Sequence, residues 1–154
     1  MNFRITGLPA HLFADLFDLT DAELAARGAV RITADAPNAF PCRISLTDAT
    51  PGDRVVLVNY EHLDVASPYR SRYAIYVRPS EQTFDAVGTV PDQLRRRTLA
   101  ARAFDDRGML VGAELVEGTE LEPAMERLLA QSDAAYLHLH YARAGCYAAR
   151  VARA

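Results

Sequence analysis

The alternation of apolar and polar positions divides the chain into short elements. NFRIT (2–6) alternates as an opening strand. Gly7-Leu8-Pro9 then leads into a predicted helix over 9–17, with Leu12, Phe13, Leu16 and Phe17 as its apolar stripe and His11 on the solvent side. A second short helix carries a capping box, Thr20 with Glu23, and a hydrophobic staple, Leu19 with Leu24, and stops at Gly28. AVRIT (29–33) alternates as a strand, and CRISL (42–46) has the composition of another. RVVLVNYEH (54–62) and YAIYVRP (73–79) are the strongest strand signals, the second ended by Pro79. VPDQLRRR (90–97) reads as one helical turn or a loop.

In the last third, TLAARAFD (98–105) and MLVGAELV (109–116) flank Asp106-Arg107-Gly108 as a β-hairpin. TELEPAMERLLAQ (119–131) is a predicted helix, with Thr119 and Glu122 as a capping box and Leu121, Met125, Leu128 and Leu129 on one face. AYLHLHYA (135–142), a turn at 143–145 and CYAARVA (146–152) form a closing hairpin. Strands joined by tight turns outnumber strand–helix–strand units. The pattern therefore predicts one α+β domain over 1–154, with eight or nine strands in a mostly antiparallel, bent or partly closed sheet and about three short helices.

Composition narrows the chemistry. A net charge of −3 argues against a general nucleic-acid binder, which needs a concentrated positive field. No apolar run approaches the roughly 18 residues of a membrane span, and the start MNFRITGLPAHLF lacks the form of a secretory leader. The expectation is a cytoplasmic protein, with Cys42 and Cys146 as reduced thiols. All 17 basic residues are arginine. Lysine-dependent Schiff-base chemistry and the lysine-containing phosphate loop are thereby excluded. Arginine stays charged and grips carboxylate or phosphate in a fork. The G-x-S-x-G, H-E-x-x-H and G-x-G-x-x-G fingerprints are absent.

Candidate chemistry concentrates at two strand ends. Side chains alternate along a strand, so Tyr136, His138 and His140 share one face and Leu137, Leu139 and Tyr141 the other. The leucines belong to the core. Two histidines at i and i+2 can place both imidazoles on one ion, with a third ligand from elsewhere, or can be no more than a polar strand face. In 54–62, Tyr60 and His62 continue the face of Val56 and Val58, so this strand turns polar at its end. The segment SPYRSRY (67–73) sets Arg70 and Arg72 among phenols, which suits an anion beside an aromatic ring or a simply solvated loop. Cys42 precedes Arg43, and Cys146 follows a glycine; either is a small buried thiol or, beside a positive charge, a reactive one.

FRITGLP, FPCRISLTDATPGDRVVLVNYEH with PYR after it, and HLHYARAGCYAARV together resemble a bacterial family known as domain of unknown function 1203. The resemblance runs from residue 3 to the C-terminus and rests on the order of the blocks. It implies a small bacterial protein and no particular activity. In the family's last block an asparagine follows the second histidine, where this chain has Tyr141.

Two functions are expected from these features. One is a small-molecule site in which His62, His138 and His140 serve as the acid–base groups of an enzyme or as ligands of a divalent metal. Arg43 and Arg70 would hold an anionic small molecule, with Tyr60, Tyr69 and Cys146 lining the wall. The other is a non-catalytic module that forms a homodimer through an exposed strand or the C-terminal hairpin.

Overall fold

The computed structural model describes residues 2–154. Nine strands form two antiparallel sheets. The larger contains β1 (Phe3–Thr6), β5 (Asp85–Val87), β6 (Thr98–Phe104), β7 (Leu110–Glu117), β8 (Tyr136–Tyr141) and β9 (Tyr147–Arg153), in the order β5-β1-β9-β8-β6-β7. The smaller contains β2 (Ala29–Thr33), β3 (Arg54–Leu63) and β4 (Ser71–Val77), with β3 in the middle. The helices are α1 (Asp21–Ala26), α2 (Asp92–Arg95) and α3 (Leu121–Leu129). The α+β class and the antiparallel pairing thus follow the sequence pattern, and the bending resolves into two sheets rather than one partly closed sheet.

Helix α3 packs across β6, β7, β8 and β9. Its Leu121, Met125, Leu128 and Leu129 meet Leu99, Ala101, Ala103, Leu137, Leu139 and Val151 in the main core. This fixes the direction of β8, because a one-residue slip would exchange its leucines for its histidines. The opposite face of the large sheet carries His138 and His140 toward the end of β3. A second core joins Val56, Val58, Ile75 and Val77 of the small sheet to Leu8, Phe13, Leu16, Leu24 and Tyr147.

Three local expectations are corrected. The predicted helix 9–17 is two 3-10 turns, Ala10–Leu12 and Ala14–Asp18, hinged at Phe13 (φ −120°, ψ −2°) so that Phe13 and Leu16 reach the second core while Leu12 stays exposed. CRISL is not a strand. Leu46 adopts φ 52°, which no strand residue can, and Cys42 makes a single parallel bridge to Tyr76. The Thr119–Glu122 capping box does not form. Gly118 lies so close to the Leu94 carbonyl that any side chain would collide, which holds the preceding turn as Gly118–Glu120, and Glu122 instead forks Arg95. The Thr20–Glu23 box is present in full. The closing hairpin lies inside the large sheet, with β8 paired to β6 and residues 150–153 of β9 paired to β1. Among the described residues no helix is long and apolar enough to cross a membrane.

Candidate metal centre

The site begins with the alternation of β8. His138 and His140 lie on the face away from α3 and are 4% and 2% exposed. A bulge between Leu139 and His140 then shifts the pairing of β8 with β9, so that Tyr147 stands opposite His140. Directly opposed residues share a face. The bulge therefore turns the Tyr147 ring onto the histidine side, whereas unbroken pairing would have set it opposite Tyr141. From the other sheet, His62 arrives near the end of β3, where the β3–β4 pairing is also irregular between Tyr60 and Leu63.

The three imidazoles meet. The His62 ring lies 5.0 Å from His140 and 6.0 Å from His138, centroid to centroid, and stacks on Tyr147 at 5.2 Å. Each histidine offers one ring nitrogen such that all three lie within 4.8 Å of one another. Aromatic rings close the box, with Phe104 at 5.5 Å, Tyr136 at 5.3 Å and Tyr147 at 5.0 Å from His138.

Hydrogen bonding distinguishes the three. His140 Nδ1 is 3.0 Å from the Gly145 carbonyl. A carbonyl only accepts, so Nδ1 carries the proton and Nε2 keeps a free lone pair. Gly145 delivers that carbonyl from a tight turn at φ 81°, a conformation that favours glycine. His62 and His138 each have a buried Nδ1 without a hydrogen-bond partner. Leaving a buried polar atom unsatisfied costs about 1–3 kcal/mol, and two such atoms belong to rings of the same cluster. Burial, with a smaller push from neighbouring cations, lowers the pKa to about 4 for His62, about 3 for His138 and about 4 for His140. All three are neutral near pH 7, the form that can coordinate a metal.

Two arginines flank the box. Arg102 on β6 and Arg150 on β9 stand directly opposite His138 on either side of β8 and share its face. Arg102 is half-buried, and its charge helps to depress all three histidines. Among the described residues it has neither a carboxylate nor a hydrogen-bond acceptor. Arg150 lies over the Tyr136 ring at 4.9 Å. Most other arginines are paired, as Arg97 is with Asp48 and Arg78 with Asp53 and Glu81.

The remaining candidates lie apart from the imidazoles. Tyr60 is half-buried against Phe13 at 5.4 Å, and burial together with Asp64 raises its pKa. Tyr69 is exposed and touches the rim of the box edge-on to Phe104 at 6.2 Å. Arg70 forks Glu61 and also pairs with Asp64, so its charge faces carboxylates. Arg43 is fully buried behind the hairpin turn, where its Nη2 donates to Cys146 Sγ at 3.0 Å. The cleft that Arg43 and Cys146 line contains none of the three histidines, nor Tyr60, Tyr69 or Arg70. Both cysteines are free, and burial pushes the Cys42 thiol up to about 12, which makes it inert. Sequence reasoning missed Arg102, Phe104, Tyr147 and Arg150. The alternation in 98–105 shows that Arg102 and Phe104 share a face, but only the register brings that face to His138.

No curated protein and no solved structure matches the chain. A family model does match over residues 39–153, about three quarters of the length, and this span contains every residue of the centre. The chain belongs to that family, described as a protein of unknown function (DUF1203).

Proposed function

We propose that this protein binds one divalent transition-metal ion through His62, His138 and His140, and that the ion and Arg102 together hold a small oxyanion. The observation that carries this reading is the pair of unpartnered, buried Nδ1 atoms inside a cluster of three imidazoles. A water molecule in that space would satisfy some of these atoms, whereas a single ion satisfies all three lone pairs. Nitrogens bound at about 2.0–2.1 Å around a tetrahedral ion are roughly 3.3 Å apart. The 4.8 Å spread therefore closes with small rotations of the rings. An all-imidazole set suits zinc, copper, iron or nickel and not the oxygen-seeking calcium or magnesium. The Gly145 carbonyl supplies the outer hydrogen bond that fixes a metal-bound histidine.

Three protein ligands leave coordination positions open, as in catalytic rather than structural zinc sites. No carboxylate is among the ligands, so the bound ion keeps its full positive charge. Arg102 adds another. Two cations side by side are mutually repulsive unless an anion lies between them. A carboxylate or phosphate oxygen on the ion, with its second oxygen on Arg102, resolves that conflict. The ion supplies Lewis-acid polarisation of the bound oxygen.

Cobalt(II) substitution tests the reading. Cobalt added to untagged, chelator-treated protein should give the visible ligand-field bands of a low-coordinate nitrogen site, and these should be lost in His138→Ala. Acetate should shift the bands, and Arg102→Gln should keep the bands but lose the shift. A spectrum identical to that of hydrated cobalt would refute the proposal.

A further inference from the structure

A second cleft opens between the sheets beside the turn of the closing hairpin. It has a volume of about 630 Å³, within the size range of small-molecule sites. Arg43, Arg96, Arg97 and Arg143 line it, with Tyr73 and Tyr76 among its walls, and no Asp or Glu is among its lining residues.

Arg43 is the unusual member. It is 1% exposed, yet among the described residues no carboxylate lies within ion-pair distance. Its Nε donates to the Tyr147 carbonyl at 2.6 Å, Nη1 to the Pro41 carbonyl and Nη2 to Cys146 Sγ. A guanidinium has five N–H groups, so two remain without an acceptor among the described residues. Its cation also lies over the Tyr141 ring at 4.9 Å. Buried charges are normally paired, and the wall of this cleft is where a counter-charge can enter. Arg143, on the exposed hairpin turn, likewise has no acceptor among the described residues. The other two cations are partly answered. Arg97 holds Asp48 through two bonds, and Arg96 bonds Asn38 and stands 3.8 Å from Asp48 and Asp92. The positive excess therefore rests on Arg43 and Arg143.

We infer that this cleft binds a small organic oxyanion with a planar apolar body. Its carboxylate or phosphate head meets Arg43 and Arg143, and its body lies against Tyr76 and Leu57, which are opposed on β4 and β3 and share the face that lines the cleft. Forked donors suit either head group, and a phenol face suits a flat apolar body. The site is separate from the histidines and does not need the metal. The two are adjacent, however, because Arg43 holds the carbonyl of Tyr147, whose ring stacks on His62.

The test is calorimetric titration of the untagged full chain with phenyl phosphate and, separately, with benzoate, in a buffer free of phosphate and carboxylate. At least one probe should bind with Kd below about 1 mM, and comparing the two identifies the preferred head group. Arg143→Gln should weaken that binding about tenfold, the size of one charge-assisted hydrogen bond. Arg143 makes no contact that folding needs, so the variant should fold. Arg54→Gln, also exposed and outside the cleft, should leave the affinity unchanged. Failure of both probes to bind would overturn the inference. So would equal weakening by Arg143→Gln and Arg54→Gln, which would mean unspecific charge attraction. Loss of binding in Arg102→Gln but not in Arg143→Gln would place the anion at the histidines and overturn it as well.

Discussion

The two faces of β8 have equal depth and opposite character. On one, Leu137, Leu139 and Tyr141 press against the α3 core, and the one polar atom there is satisfied, with Tyr141 Oη donating to Gln93 Oε1 at 2.5 Å. On the other, His138 and His140 are buried as deeply, yet the His138 Nδ1 has no partner and the neighbouring Arg102 has no counter-charge. A buried polar group that is satisfied needs no ligand to explain it. One that is left open, where among the described residues His62 Nδ1 is the only other buried side-chain nitrogen or oxygen without a partner, marks a place where something else binds.

The largest expected contrast is in metal-linked stability. Zinc at about a thousand times its Kd adds roughly 4 kcal/mol to a protein that binds it only when folded. For a chain of this size that is roughly 8–16 °C in Tm. His138→Ala should lose this zinc-dependent increment completely in a thermal melt with and without zinc, while Leu139→Ala should lower the baseline and keep the increment.

The metal-free protein should also lose stability in acid. The three histidines have folded pKa values of about 3 to 4, below the ordinary 6.5, because burial disfavours their charged forms. Between those values the unfolded chain binds more protons than the folded one, so stability falls as pH drops from about 6.5 toward 4. Urea melts across that range should show the decline, and the His62→Phe, His138→Phe, His140→Phe triple variant should show less of it. An unchanged slope in that variant would mean that the histidines are not held neutral.

Arg102→Gln should have a smaller and two-sided effect. Removing the repulsive charge should tighten zinc binding in the absence of anions and weaken acetate binding to the zinc form about tenfold, one charge-assisted bond. Zinc and acetate titrations of both proteins would measure it. The smallest effect belongs to the satisfied face. Tyr141→Phe should cost about 1–2 kcal/mol through the lost bond to Gln93, and should leave zinc affinity unchanged.

How much of this was legible in the sequence depended on range. Alternation in YLHLHY fixed which residues share a face, and the polar end of RVVLVNYEH pointed to His62, because both signals are local. The Thr20–Glu23 cap was readable for the same reason. What local pattern could not supply was register. Arg102 and Arg150 flank His138 only because three strands align at that position, and Tyr147 joins the box only through a bulge. CRISL has strand composition, but Leu46 takes a turn conformation because loop 34–49 must cover the outer face of the small sheet with Phe40, Cys42 and Ala49. The expected single site, with Arg43 among the histidines, divides into a histidine box and an arginine cleft on either side of Tyr147, a separation set by tertiary packing.

Zinc titration of untagged, chelator-treated protein by calorimetry tests the central claim most directly. One site per chain, with a Kd of micromolar or tighter, lost in His62→Ala and in His138→Ala but retained in Tyr141→Phe, is the predicted result. A chain that shows no saturable zinc site, or whose site survives both histidine substitutions, would contradict the assignment of His62, His138 and His140 as a metal centre.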